Sequence, residues 1–478
     1  MTTIGETTFT AEDLDRFAAL TRDTNPIHMD PRIAQRSFAG ARVAHGMLVL
    51  LTALQHFVAS RGHAIPFTRI RCDFRQPVLI DEPVRFEYRQ RNDGGIRLSA
   101  LVDELICAEV RLDHLKGAEI DRGSPKPIQP DADLEALREP LDLGARELTA
   151  FNGAISNALA ADVAAVFPDL CAALGASSVS ALARLSYVVG MLCPGLHSVF
   201  SFLDVMLAPN SPAQGVTRFG VTAVDDRFRL VQLALSGDLA GTAAAFQRPP
   251  LFRQPTAESL SLRVEAREFA DAKALVIGGS RGLGELTAKL LCAGGAAVHL
   301  TYARGLRDAR LVSDEIARAN RGVCTPVALD VLSPLSSETL HLLADVDLVF
   351  YFATPTIFRK RSRAFNPALL EDFMRFYVER FYVLCDAVQS VATRSVRVFY
   401  PSSVAVETRP KGMTEYAMAK AAGEILLTDL NAASSNVRIV SARLPRMGSD
   451  QTNSIAAGGG DSDSVAIMLA IIRSMWPA

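Results

Sequence analysis

The stretch from residue 23 to residue 34 decides the fold of the first part of the chain and reads Asp23-Thr24-Asn25-Pro26-Ile27-His28-Met29-Asp30-Pro31-Arg32-Ile33-Ala34. An acid, Asp23, stands five residues before a histidine, His28. Asn25-Pro26 between them favours a turn, because proline fixes φ and asparagine suits turn positions. We expect this turn to bring the two side chains into one small space, as general acid–base chemistry on a single water requires. A polar turn that caps a helix is the alternative interpretation.

The sequence after this turn predicts a buried helix followed by strands. Residues 46–60 are apolar nearly all round, as in a helix without a solvent face, and strand-like segments follow at 66–74, 83–91, 95–103 and 105–113. The turn segment resembles the MaoC-like (R)-specific enoyl-thioester hydratases, whose signature D-x-N-P-[LIV]-H-x5-[AS] it matches at every written position. That resemblance implies a hot-dog fold, in which Asp23 and His28 hold the water that adds to, or leaves, C3 of an acyl thioester.

The start of the predicted buried helix offers two further candidates. The N–H of Gly46, at a helix N-terminus, could polarise the thioester carbonyl. His45 is either a pocket residue or a structural residue at the start of the helix.

The second part of the chain resembles the first in layout but lacks its chemistry. Residues 148–165 are Ala-rich and predict a helix, and strand-like segments follow at 215–223, 227–235 and 237–246. Residues 194–198 take the place that residues 43–47 have in the first part. Because no Asp-x4-His with an intervening Asn-Pro occurs here, we interpret this part as a degenerate second hot dog that shares one core with the first.

The third part alternates strands and helices, which predicts a doubly wound parallel sheet. The strand 273–277 is followed by a glycine-rich loop that opens a helix, a context in which backbone N–H groups bind pyrophosphate. The spacing Gly278-x3-Gly282-x-Gly284 resembles that of the short-chain dehydrogenase/reductases over roughly residues 268–452. The predicted cofactor-binding residues in this loop are Gly278, Ser280, Arg281, Gly282, Leu283 and Gly284.

A second motif supports this resemblance independently. Tyr416 and Lys420 are four residues apart and would share one helix face, where the ammonium can lower the pKa of the phenol. Ser403 lies 13 residues before Tyr416. By resemblance, Tyr416 gives a proton to a carbonyl oxygen, Ser403 hydrogen-bonds that oxygen, and Lys420 binds the nicotinamide ribose. The asparagine that the family carries in a preceding helix falls at Glu379.

The predicted cofactor is NADPH, with NADP preferred over NAD. NAD-specific enzymes place an acid at the end of the second strand to accept from the ribose 2′-hydroxyl. Here that end reads Thr301-Tyr302-Ala303-Arg304, without an acid. Arg281 and Arg304 could both face a 2′-phosphate, although either could also be a solvated charge. Asp330 resembles the acid with which the family contacts adenine.

Composition narrows the other possibilities. The net charge of −2 gives no reason to expect a nucleic-acid or membrane partner. Seven scattered cysteines without a C-x-x-C pair predict reduced thiols in a cytoplasmic protein, and no metal site. We expect an acyl-CoA or acyl-carrier-protein thioester as substrate. By family habit, we also expect a homo-oligomer through the reductase domain.

Two segments rich in proline and charge, 117–133 and 247–259, predict linkers. They divide the chain into a MaoC-like hot-dog domain (1–120), a second, degenerate hot dog (134–248) and a reductase domain (265–478). The sequence therefore predicts a bifunctional 3-oxoacyl-thioester reductase and 3-hydroxyacyl-thioester dehydratase, or a hydratase in reverse, of fatty-acid or polyketide-type metabolism. The alternatives are a dehydratase with a non-catalytic nucleotide-binding domain, and an acyl-thioester-binding scaffold.

Overall fold

The computed structural model describes residues 1–37, 39–61, 67–113, 130–159, 162–207, 215–357, 365–452 and 462–476. The chain forms two compact units, of which the first covers Met1–Pro250 and the second begins at Leu251. This boundary lies inside the linker predicted at 247–259. The linker predicted at 117–133 falls mainly outside the described residues, and the three domain ranges remain predictions.

The first unit is built on one antiparallel sheet of ten strands, in the order β1-β3-β4-β5-β2-β7-β10-β9-β8-β6. The second five strands repeat the order of the first five in mirror sequence, so that β2 and β7 pair at the centre. The strands are β1 Thr2–Thr8, β2 Arg69–Phe74, β3 Pro83–Gln90, β4 Ile96–Val102, β5 Leu105–Asp113, β6 Asn152–Ser156, β7 Ser198–Leu207, β8 Val216–Asp225, β9 Leu230–Gly237 and β10 Leu239–Gln247.

Each half of this sheet carries one long buried helix. The helices of the unit are α1 Ala11–Thr21, α2 Pro26–Met29, α3 Pro31–Gln35, α4 Gly46–Arg61, α5 Ala132–Glu135, α6 Ala145–Ala150, α7 Pro168–Leu174 and α8 Ala176–Tyr187, with a 3₁₀ turn at Val163–Ala165. A π-helical turn, Val188–Leu192, continues α8. Because α4 and α8 contribute buried side chains to one continuous core, the predicted double hot dog with a shared core is confirmed.

Two details of the predicted second half are wrong. Helix α6 ends at Ala150, and Asn152–Ser156 instead forms the edge strand β6 against β8. Alanine favours a helix locally, but pairing with a neighbouring strand overrides that preference. Residues 194–198 follow the long helix α8 and lead into β7, whereas residues 43–47 precede and open α4. The two segments are therefore not equivalent.

The second unit is a six-stranded parallel sheet in the order β13-β12-β11-β14-β15-β16, which confirms the predicted doubly wound architecture. Its strands are β11 Lys273–Ile277, β12 Ala297–Tyr302, β13 Val323–Ala328, β14 Leu348–Tyr351, β15 Val396–Ser403 and β16 Val437–Leu444. Its helices are α9 Ala257–Leu260, α10 Gly282–Ala293, α11 Leu306–Ala319, α12 Ser337–Asp345, α13 Pro367–Met374, α14 Arg380–Val391, α15 Ala405–Thr408, α16 Thr414–Ala433 and α17 Ser464–Met475.

A second π-helical turn, Arg375–Glu379, joins α13 to α14. Within the described ranges, no single helix has the length and apolar character needed to cross a membrane. One bent pair, Pro168–Leu174 with Ala176–Leu192, passes that test by length and composition only.

Candidate active sites

The Asn-Pro turn works as a helix start. The side chain of Asn25 accepts a hydrogen bond from the N–H of Ile27 at 3.2 Å and caps α2, with Pro26 in its first turn. This single turn of helix directs His28 back towards Asp23. One polar side-chain atom each from Asp23, His28 and His45 lies within 4.8 Å of the others. The predicted convergence of acid and histidine is therefore present.

Asp23 is buried, with only 1% of its surface exposed. The hydroxyl of Ser186 donates to its Oδ2 at 2.6 Å, and the N–H of Asn25 donates to its Oδ1 at 3.2 Å. Burial raises the pKa of this carboxyl above its ordinary value, although the His28 ring and these two hydrogen bonds oppose the shift. A carboxyl with a raised pKa suits a general acid.

Two residues of the second half, Gly190 and Ser186, complete this site without having been predicted. A Cβ atom on Gly190 would lie 2.4 Å from Oδ1 of Asp23, so only glycine allows the π-helical turn to approach the carboxyl. The side-chain amide of Asn25 donates to the carbonyl of Gly190 at 2.7 Å. Gly190 and Ser186 sit in a half that lacks an acid–histidine motif of its own, and no local pattern marks them.

His28 is held in one tautomer. Its Nδ1 lies 2.7 Å from the carbonyl oxygen of Val43, and because a carbonyl only accepts, Nδ1 carries the proton and Nε2 keeps its lone pair. Burial, with the nearby His45, lowers the pKa of His28 to about 3. The imidazole is therefore neutral at pH 7 and can accept a proton at Nε2.

His45 packs against His28 and hydrogen-bonds the backbone of Asp23. Its ring stacks on that of His28 with centroids 3.9 Å apart, and its Nε2 donates to the backbone carbonyl of Asp23 at 3.1 Å. Burial lowers the pKa of His45 to about 4. Of the two interpretations left open by the sequence, these contacts favour the structural one.

The cluster of Asp23, His28 and His45 does not fit a shared metal ion. After the two backbone hydrogen bonds, the ring nitrogens left as ligands are His28 Nε2 and His45 Nδ1. Lone pairs lie in the plane of each ring, and these rings are stacked with 26° between their planes. Two such lone pairs cannot converge on an ion at the roughly 2.0–2.1 Å that metal–imidazole bonds require.

Gly46 is the first residue of α4, where backbone N–H groups have no acceptor within the helix. A Cβ here would lie 3.3 Å from the ring of Phe74 and 3.6 Å from Cβ of Phe200. Glycine therefore lets the start of the helix lie against two aromatic side chains, one from each half of the sheet.

In the second unit, the glycine-rich loop links β11 to α10. Gly278 has φ +75°, and a Cβ on it would lie 3.0 Å from the backbone of Phe352. A Cβ on Gly284 would lie 2.3 Å from the carbonyl oxygen of Gly278. Gly282 has φ +59°, a conformation that favours glycine. The loop is thus a tight backbone cradle at a helix N-terminus, a geometry that fits a pyrophosphate.

The predicted charges of the cofactor site lie at the carboxyl ends of the strands. Arg281 is half-buried, with Nη1 3.6 Å from a carboxylate oxygen of Asp450. Arg304 is exposed between β12 and α11. A Cβ on Gly305 would lie 3.3 Å from the hydroxyl of Ser280, so the loop after β12 approaches the glycine-rich loop. Asp330 is exposed after β13 and accepts from the N–H of Leu332 at 3.0 Å.

Ser403, Tyr416 and Lys420 come together as predicted. Burial raises the pKa of Tyr416, and a hydrogen bond with the Ser403 side chain opposes that shift. Lys420 is only 4% exposed, and its ammonium donates to the carbonyl of Pro401 at 2.6 Å. Burial lowers the pKa of Lys420 to about 7, against the opposing field of Glu424.

The alignment of Glu379 with the family's helix asparagine remains a prediction. Glu379 is exposed, whereas Tyr377, two residues earlier in the π-helical turn, is buried. The Tyr377 ring faces the Lys420 ammonium, 3.7 Å from Nζ to the ring centroid, and its hydroxyl shares a 2.5 Å hydrogen bond with Thr354. A π-helical turn changes which residues face inward, and no local sequence pattern predicted one here.

Two protein-family models match this chain. Residues 2–105 match the MaoC like domain, and residues 272–458 match the short chain dehydrogenase. A curated relative, the mitochondrial 3-hydroxyacyl-[acyl-carrier-protein] dehydratase of Arabidopsis thaliana, is 29% identical over 76 residues. That match covers 16% of this chain and 45% of the relative, so the chain spans under half the length of the dehydratase.

Three solved structures similar to the chain are described as two short chain dehydrogenases and one ketoreductase. A putative short chain dehydrogenase from Pseudomonas syringae is 19% identical, with 45% of this chain and 92% of that chain covered and a TM-score of 0.39. The angucycline C-6 ketoreductase LanV with bound NADP is 18% identical, with 44% of this chain and 90% of that chain covered and a TM-score of 0.39. A short chain dehydrogenase from Burkholderia cenocepacia in complex with NADP is 20% identical, with 44% and 92% covered and a TM-score of 0.38.

Proposed function

We propose that this chain, which joins a MaoC-like domain to a short-chain dehydrogenase domain, is a bifunctional 3-oxoacyl-thioester reductase and 3-hydroxyacyl-thioester dehydratase. The observation that carries the proposal is the pairing of two acid–base sets. Asp23 and His28 converge in the first unit, and Ser403, Tyr416 and Lys420 converge in the second. The product of the second set is the substrate of the first.

In the reduction, Tyr416 is the proton donor to the carbonyl oxygen that becomes the 3-hydroxyl. Ser403 hydrogen-bonds the same oxygen and holds it near the phenol. Lys420, in its protonated form, places a positive charge near Tyr416, which eases release of the phenolic proton. NADPH, when bound, supplies the hydride for C3.

The residues that would hold the cofactor are those of the glycine-rich loop, with Arg281 and Arg304 at the 2′-phosphate, Asp330 at the adenine and Lys420 at the ribose. The absence of an acid at the end of β12 supports NADPH over NADH. We expect Arg304→Ala to raise the KM for NADPH about tenfold and to leave that for NADH unchanged, since an arginine–phosphate contact is worth roughly 1–2 kcal/mol. Equal changes for both cofactors would contradict this assignment.

In the dehydration, His28 is the base and Asp23 is the acid. Nε2 of His28 takes the C2 proton, the C2–C3 double bond forms, and the C3–O bond breaks as Asp23 gives its proton to the leaving hydroxyl. Water is released, and the proton gained by His28 returns to Asp23, directly or through a water. The lone pair left on Nε2 of His28 and the raised pKa of the Asp23 carboxyl support this assignment. The N–H of Gly46 would stabilise the enolate oxygen of the thioester.

The thioester class is carried over from the MaoC-like domain, and the carrier is coenzyme A or an acyl carrier protein. We further propose assembly as a homo-oligomer through α14 and α16, in a reducing compartment such as the cytoplasm. Exposed apolar side chains on these two helices support the assembly: Tyr382, Val383, Met418 and Ile425. The seven cysteines, which are thiols rather than disulfides, support the compartment.

The deciding experiment incubates the full chain with acetoacetyl-CoA, or the acyl-carrier-protein thioester, and NADPH, and identifies products by mass. Wild type should oxidise NADPH and form both 3-hydroxybutyryl and crotonyl thioesters. Tyr416→Phe should lose NADPH oxidation and keep crotonyl-thioester hydration. Asp23→Asn should keep NADPH oxidation and stop at the 3-hydroxy product.

Each failure has a distinct meaning. Hydration without any NADPH oxidation would leave a dehydratase with a non-catalytic nucleotide-binding domain. Unchanged hydration in Asp23→Asn would refute the role of Asp23 as the acid. No hydration by the wild-type chain would remove the dehydratase and leave a thioester-binding role for the first unit.

A further inference from the structure

The buried ammonium of Lys420 is enclosed by aromatic rings. Its Nζ lies 3.7 Å from the ring centroid of Tyr377, 4.9 Å from that of Tyr400 and 5.8 Å from that of Tyr416. One of its three protons goes to the carbonyl of Pro401. An ammonium that is almost fully buried needs compensation for the water it has lost, and Tyr377 is the nearest ring.

Tyr377 is fixed in orientation from three sides. Its hydroxyl is bonded to Thr354, its ring stacks at 7° on Phe373 with centroids 5.8 Å apart, and it meets Tyr416 edge-on at 82°. It is only 2% exposed. The π-helical turn at Arg375–Glu379 contributes this inward position, since such a turn shifts side chains relative to a regular helix.

Glu424, a charged group near Lys420, has hydrogen-bond partners of its own. Glu424, one turn along α16, accepts from the guanidinium of Arg443 and from the hydroxyl of Ser402. These partners stabilise the carboxylate and lower its pKa, but their positive charge and hydrogen bonds also weaken its attraction for Lys420. After the Pro401 carbonyl, the electron-rich face of Tyr377 is the nearest described group that favours the charged form of the lysine.

We propose that Tyr377 is a positioning residue of the reductase site, whose ring face holds Lys420 as an ammonium and thereby increases the acidity of Tyr416. The inference rests on the proposed reductase function. The hydroxyl of Tyr377 is an anchor to Thr354 and takes no part in proton transfer. Leucine would fill much of the same volume but has no π-face, so the ring itself is the tested feature.

A direct test follows the titration of Lys420 by NMR of ¹³Cε-labelled lysine. The chain has only seven lysines, and the Lys420 signal is assigned by its loss in Lys420→Arg. Relative to wild type, Tyr377→Leu should lower the titration midpoint of Lys420 by about one pH unit. Tyr377→Phe keeps the ring and should stay close to wild type. If Tyr377→Leu does not fold, Tyr377→Met carries the same expectation.

The matched control is Tyr88→Leu. Tyr88 also faces a cation, Arg61 at 5.0 Å, but in the first unit, so its loss should leave the Lys420 titration unchanged. An unshifted midpoint in the leucine or methionine variant would overturn the proposal. An equal fall in Tyr377→Phe would also overturn it, since the ring would then not be the cause.

Kinetics provide a second readout. In the oxidation of 3-hydroxybutyryl thioester with NADP, Tyr416 must be deprotonated. Tyr377→Leu removes the ring that stabilises the Lys420 ammonium, so the acidic limb of the kcat profile should move to higher pH. Tyr377→Phe keeps the ring, and its acidic limb should not move. A wild type without NADP-dependent turnover would refute the proposed function. The NMR titration would still decide the role of Tyr377.

Discussion

The Asp23 carboxyl is buried and accepts two hydrogen bonds, and these opposing influences help to set its pKa. Burial disfavours the carboxylate, whereas the Ser186 hydroxyl and the Asn25 N–H favour it. Because Ser186 donates at 2.6 Å, it is the donor whose removal should matter more. The chemistry proposed for Asp23 therefore depends on a side chain more than 160 residues away in the chain.

We expect Ser186→Ala to raise the pKa of Asp23 by about one to two units, because a hydrogen bond to a charged group is worth roughly 1.5–3 kcal/mol. In the hydration of crotonyl thioester, Asp23 acts as a base, so the acidic limb of the pH profile should move to higher pH. Ser178→Ala, also buried in α8, is the control and should leave the limb in place. If the acidic limb of the hydration profile does not move in Ser186→Ala, Ser186 does not lower the pKa of Asp23.

His45 should make the first unit sensitive to acid. Its folded pKa, about 4, lies below its ordinary value of 6.5, so the unfolded chain binds more protons between these pH values. The stability that His45 contributes is complete above pH 6.5 and is lost as pH falls towards 4. His45→Gln keeps an N–H donor without this titration.

The loss of melting temperature between pH 7.5 and 5.0 should therefore be smaller in His45→Gln than in wild type. Because His45 also lowers the pKa of His28, its replacement should reduce the acid sensitivity that comes from both rings. Exposed His341, on α12, provides the control substitution His341→Gln. Equal acid losses in wild type and His45→Gln would show that His45 does not resist protonation.

At the scale of elements, a π-helical turn lies beside each candidate acid–base set. Val188–Leu192 carries Gly190 against Asp23, and Arg375–Glu379 carries Tyr377 against Lys420. A π-helical turn is less favourable than regular helix and is often found at functional sites. In this protein each turn presents to its site a residue that four-residue spacing alone would not predict.

We expect Gly190→Ala to reduce crotonyl-thioester hydration at least a hundredfold, since its Cβ would occupy the space of the Asp23 carboxylate and a misplaced group of this kind is costly. Overpacking should also lower the free energy of unfolding by about 1–3 kcal/mol. Melting temperature and NADPH oxidation are measured alongside, and the latter should be retained.

Gly144→Ala is the matched control, because Gly144 has φ −73° and an added Cβ would meet only the Glu147 carboxylate at 3.4 Å. It should behave as wild type. Full hydration activity in Gly190→Ala would mean that Asp23 is not held where the structure has it.

At the scale of the molecule, the ten-stranded sheet joins the two halves of the first unit, so we expect neither half to fold without the other. Its halves meet at β2 and β7, where Arg69 and Arg71 both donate to Asp204, at 2.7 and 2.6 Å for the shortest contacts. Arg184 of α8 donates to the carbonyl of Thr21 at 2.8 Å, two residues before Asp23. The second half thus holds the segment that carries the candidate acid.

A protein of residues 1–250 should fold alone and hydrate crotonyl thioester within a few-fold of the full chain. A protein of residues 1–130 should not, because it lacks Ser186 and Gly190 and exposes β2 as an open edge. Circular dichroism, size-exclusion chromatography and hydration rates check both. Activity of the shorter protein would mean that the second half is dispensable for the site.

The sequence by itself determined what depends on neighbours along the chain. The Asn-Pro turn brings His28 back to Asp23, strand-like segments predicted most strands but not β1, β6 or β7, and four-residue spacing paired Tyr416 with Lys420. These features follow from local geometry, which a short segment encodes. The tertiary structure alone decided which distant groups complete each site: Ser186 and Gly190 at the carboxyl, and Tyr377 rather than Glu379 at the ammonium. Those contacts join elements far apart in sequence, and two of them depend on π-helical turns whose register is fixed by packing rather than by local pattern.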